Sequence, residues 1–139
     1  MKFQILGLIA ILAAVSFWGG CKCNCEEKEC LCTEIFVSYH VTVTDEAGLP
    51  LENATVRVWF EATGEVIDCS DIHVPDKGLY CIMSDTYRKQ LDEDGESVVV
   101  RFTAPGYKAF SGNYLFNTDS CQCHIRHIYG PDTVTMEKI

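Results

Sequence analysis

Basic residues are scarce in this sequence. The 139 residues hold 11 Lys and Arg against 20 Asp and Glu, a formal net charge of −9. A chain this acidic is not a nucleic-acid binder by bulk electrostatics. Long apolar runs are also missing. Ile5 to Val15 is an unbroken run of eleven residues, which rises about 16 Å as a helix, roughly half a bilayer core. No segment is therefore a spanning helix. No sustained helical period appears after residue 20, which argues against a helical bundle. Catalytic signatures are absent too. No serine sits in a nucleophile elbow, and no C-x-x-C-H order for covalent haem occurs. There is no internal repeat and no motif that calls for a cofactor.

What is present is concentrated at the start. Lys2 gives a positive beginning, the apolar run follows, and Gly19-Gly20 precede Cys21. These are the parts of an export signal. The small pair abutting a cysteine resembles the lipobox of bacterial lipoproteins, in a loose form like that of the Bacteroidota. The resemblance implies a signal peptide over 1–20 and a diacylated (palmitate-type) thiol at Cys21. It also implies a place in the cell envelope, lipid-anchored at the outer membrane. A plain secretory signal or an uncleaved anchor is the alternative. Two or more acyl chains give stable attachment.

Cysteine is abundant: nine in all, five of them within residues 21–32. In an exported chain the eight after Cys21 favour disulfides over metal. Members of a C-x-C pair are poorly placed to bond each other, so each looks for a distant partner. Residues 21–33, with Glu26, Glu27 and Glu29, read as a charged tether.

From Glu34 onward the pattern is period two. In "IFVSYHVTV" the apolar members are Ile35, Val37, Tyr39, Val41 and Val43. "NATVRVWFEA" alternates, with Ala54, Val56, Val58 and Phe60 on one side. "GEVIDC" and "LYCIM" read as two short strands around "SDIHVPDKG". "ESVVVRFTA" puts Val98, Val100, Phe102 and Ala104 on one face. "YKAFSGNYLF", "CQCHIRHIY" and "DTVTME" supply the last strand candidates. Six to eight short strands separated by Gly and Pro predict an all-β sandwich over 34–139.

"VTVTDEAGLPLENATVRVW" and "DEDGESVVVRFTAPGYKAF" are similar to the turn-and-strand pattern of carboxypeptidase regulatory-like domains. The resemblance implies a seven-stranded, Greek-key, prealbumin-like (transthyretin-like) sandwich. It implies no catalytic activity, and an accessory role in secreted and outer-membrane proteins. Gly48 and Gly95 fall where its turns need positive φ. Leu51 would return the chain to the core, and Tyr107 would cap it. The cysteine richness departs from that family.

Several residues are candidates for chemistry. Cys121, Cys123, His124 and His127 are zinc-ligand types. On a strand, Cys121, Cys123 and His127 would point one way and His124 the other, so the four would not converge. The expectation is therefore no metal. A metal-binding or redox-active cysteine protein using Cys121, Cys123 and His127 is the alternative. Cys69 and Cys81 are equidistant from Pro75 and would face each other in a hairpin centred there. Cys30 and Cys32 with Cys121 and Cys123 would clip the tether to a late strand. Cys23 and Cys25 stay unassigned, available to a partner protein. "DEDGE" is a surface turn rather than a calcium loop, and His73 lies in a polar loop with no evident partner. Trp59 beside Arg57, on the outward side of its strand, could meet a sugar or a protein, or pack under a loop. The expected partners are the membrane, through the lipid, and an envelope protein or glycan, not nucleic acid.

Overall fold

The computed structural model describes residues 29–139. The expectations for the signal peptide, Cys21, Cys23, Cys25 and most of the tether lie outside the described residues. Among the described residues, eight strands form two sheets. They are β1 (Ser38–Thr44), β2 (Thr55–Phe60), β3 (Val66–Ile67), β4 (Leu79–Ser84), β5 (Glu96–Thr103), β6 (Phe110–Thr118), β7 (Ile125–Tyr129) and β8 (Thr133–Thr135). One sheet has the order β4-β1-β8, the other β3-β2-β5-β6-β7. All pairings are antiparallel except β1 with β8, which is parallel.

Alternation explains which side chains meet. Val41 and Val43 of β1 point inward, as do Val58 and Phe60 of β2 and Val98, Val100 and Phe102 of β5. They join Ile82, Tyr114, Phe116, Val134 and Met136 in one buried cluster fed by both sheets. Burying each such side chain stabilises the fold by about 1.5–3 kcal/mol. Leu51 is 7% exposed and belongs to this core, and Tyr107 packs against it. The turn after β1 is built by Asp45, whose Oδ1 accepts the N–H groups of Ala47 and Leu49 at 2.9 Å. Gly48 sits there at φ 80°, and Gly95 closes its own turn at φ 97°.

The structure departs from the sequence reading in four places. The hairpin centred on Pro75 is not formed. β3 pairs with β2 and β4 pairs with β1, so the two segments enter different sheets. Two 3₁₀ turns, Ser70–Ile72 and Pro75–Lys77, span the gap. β7 begins at Ile125, not Cys121. Asp119 Oδ1 accepts the N–H groups of Cys121 and Cys123, at 3.0 and 3.2 Å, and bends this segment into a turn. Gln122 takes φ 51° there, the left-handed region. β6 runs Phe110–Thr118, later than its candidate segment, because Tyr107 and Lys108 pair instead with Lys138 and Glu137 near the end of the chain. Ile35 lies before β1 and is exposed rather than on a buried face.

Candidate functional site

Two regions hold side chains that the core does not need. The first is where the tether meets the domain. Cys30 is bonded to Cys121 and Cys32 to Cys123, with Cα–Cα distances of 5.5 and 5.2 Å. Thr33 Oγ1 lies 2.8 Å from His124 Nε2. All three pairs share a sequence separation of 91, so 30–33 runs parallel beside 121–124. Cys69 is bonded to Cys81, Cα–Cα 5.7 Å, between the connection after β3 and the strand β4.

Asp85 is the centre of this clip. It is 3% exposed. Its Oδ1 accepts Ile125 N–H and its Oδ2 accepts Val37 N–H, both at 2.9 Å. His124 Nδ1 donates to Oδ2 at 2.6 Å. Burial alone would push this carboxyl up. The bonds from His124 and from the Ile125 and Val37 N–H groups outweigh burial and hold it below its ordinary value. Carboxylate, imidazole and hydroxyl stand in the order that activates a nucleophile in acyl transfer. Here the three also fasten residues 33–37 to the start of β7. Sequence reading missed Asp85, because "SDTYRKQ" looks like a polar loop.

The histidines are otherwise engaged. His127 stacks on Tyr39, ring centroids 4.2 Å apart, with Nδ1 3.9 Å from Asp132 Oδ1. The Tyr39 hydroxyl donates to Asp132. Burial, then Asp132, push the Tyr39 phenol well above its ordinary range. His73 has a partner after all: its Nδ1 accepts Cys81 N–H at 2.9 Å. Burial lowers the His73 pKa. Cys121 and Cys123 are turned to Cys30 and Cys32, and His127 is turned to Tyr39, so these three do not converge. Among the described residues no group of three His, Cys, Asp or Glu side chains is placed to hold a metal ion.

The second region is the outward face of the five-stranded sheet. Arg57, Trp59, Gly64, Val66 and Arg101 line an open concavity of about 340 Å³. The register places Arg57 directly opposite Arg101, and Trp59 between Val66 and Val99. Trp59 is half-buried among these neighbours, while both arginines are exposed. Sequence reading singled out Arg57 and Trp59 but not Arg101, which is 44 residues along the chain and is brought over by the β2–β5 register.

No protein-family model, curated protein or solved structure matches this chain.

Proposed function

We propose that the protein is a lipid-anchored, non-catalytic protein of the cell envelope whose two-sheet body serves binding. In this reading Cys21 carries the lipid at the outer membrane and residues 21–33 are its tether. The body is the seven-stranded, Greek-key, prealbumin-like sandwich, with β3 a two-residue addition. One observation carries the reading. The tether is clipped beside β7, at one edge of the five-stranded sheet, while the open concavity lies on β2, β3 and β5 toward the other edge. Four strand spacings separate those edges, about 19 Å. A domain held at one edge leaves the other free to meet a partner. The groups that resemble a catalytic relay are used to hold the tether, which supports a non-catalytic role.

The test is metabolic labelling. Expressed in a bacterial host fed radioactive palmitate, the full chain should take up label and sediment with membranes. Cys21→Ser should do neither, and globomycin should block processing. An unlabelled wild-type product would overturn the anchor.

A further inference from the structure

We infer that the concavity on Arg57, Trp59, Val66 and Arg101 binds an anionic saccharide, a pyranose ring bearing a carboxylate or a sulfate. This rests on the binding reading above and names its ligand class.

The first ground is how the chain uses its four arginines. Arg88 donates to Asp85 O at 2.8 Å, and Arg126 donates to Asn117 Oδ1 and Thr118 O. Arg57 and Arg101 make no hydrogen bond or ion pair among the described residues. They nevertheless sit directly opposite each other on adjacent antiparallel strands. Like charges in that position destabilise a sheet. Folding gains nothing from the pairing, whereas an anion placed between the two guanidinium groups would.

The second ground is charge sorting. The chain has 20 Asp and Glu. The outward positions of β2, β5 and β6, those alternating with the buried ones, carry none of them. Glu61 lies just past the end of β2 and reaches Asn113, which donates to its Oε2 at 3.4 Å. In a chain of net charge −9 this face is a cationic exception.

The third ground is the aromatic wall. Trp59 is flanked by Val66 and Val99 as cross-strand partners. The indole thus presents apolar surface next to two forked donors that match oxyanions bidentately. An apolar ring carrying an anionic group satisfies both halves. A volume of about 340 Å³ is at the small end of ligand sites. It suits one or two sugar rings, and its openness suits a residue within a polymer.

The experiment titrates the full-length protein, purified in detergent micelles, with polygalacturonate, heparin, neutral dextran and poly-glutamate at fixed ionic strength. Binding of polygalacturonate, heparin or both, without dextran, is expected; the pattern tells carboxylate from sulfate. Arg57→Gln and Arg101→Gln should each weaken binding about tenfold or more. Both variants should melt no lower than wild type, since each relieves the repulsion. Lys77→Gln removes the same charge from an exposed turn elsewhere and should change nothing. If Lys77→Gln weakens binding equally, bulk charge is responsible and the site is refuted. If poly-glutamate alone binds and the arginine variants abolish it, the face binds an acidic peptide and the saccharide is refuted, while the binding reading stands. If none of the four binds, the saccharide and this face's binding role both fall, leaving the anchor to be judged by the palmitate label.

Discussion

The paired disulfides of the clip should show strong non-additivity. Each closes a loop with a sequence separation of 91. In the chain-entropy model a loop of that length stabilises the fold by about 4.6 kcal/mol. Either bridge alone achieves this. Once one is present, the other closes only a ring through the few residues between the two C-x-C pairs. The same expression gives about 2 kcal/mol for so small a ring. Removing one pair, as Cys30→Ser with Cys121→Ser, should therefore cost about 2 kcal/mol. So should Cys32→Ser with Cys123→Ser. Removing all four should cost about 6–7 kcal/mol, more than the two single-pair losses combined. Guanidinium unfolding of the three variants, without reductant, measures these values. Single-pair losses that sum to the fourfold loss would refute the shared-loop argument. A fourfold loss below about 1 kcal/mol would show that the tether adds no constraint to the unfolded chain.

Two further perturbations test the packing and the carboxylate hub. A Cβ at Gly130, where φ is 120°, would lie 2.2 Å from Cδ1 of the buried Tyr114 ring. Gly130→Ala combines backbone strain with overpacking and should cost about 3 kcal/mol. Gly48→Ala meets nothing within 4 Å and should cost only about 1 kcal/mol, from its positive φ; urea midpoints compare the two. Asp85 is held below its ordinary value in the folded state, so it binds a proton less readily folded than unfolded. Its contribution is complete above the unfolded value, about 3.9. It is lost as pH falls through the lowered folded value. Urea unfolding carried into the acid range should show that loss in the wild type and a flatter profile in Asp85→Asn.

Strands with a clean apolar alternation were legible in the sequence. Val41 and Val43, Val58 and Phe60, and Val98, Val100 and Phe102 each point inward as the period requires. The allocation of strands to sheets was not. "GEVIDC" and "LYCIM" have the spacing of a hairpin, but local spacing says nothing about the neighbours β2 and β1 that claim them. The Cys69–Cys81 pair shows the difference. The two sulfurs meet, yet across a connection between sheets rather than across a hairpin. The start of β7 was misplaced because Asp119 caps the two cysteine N–H groups, a side-chain effect that periodicity does not register. Asp85 and the Arg57–Arg101 opposition were invisible for one reason. Their meaning lies in partners roughly 40 residues or more away in the chain.

The parallel pairing of β1 with β8 makes one edge of an early strand depend on the last stretch of the chain. β1 ends at Thr44, and the strand that covers its second edge starts at Thr133. Without that late stretch in place, the valine-bearing ribbon offers an unpaired row of amides to any other chain folding nearby. A product truncated by stalled translation or a trimming protease would thus be sticky rather than merely shorter.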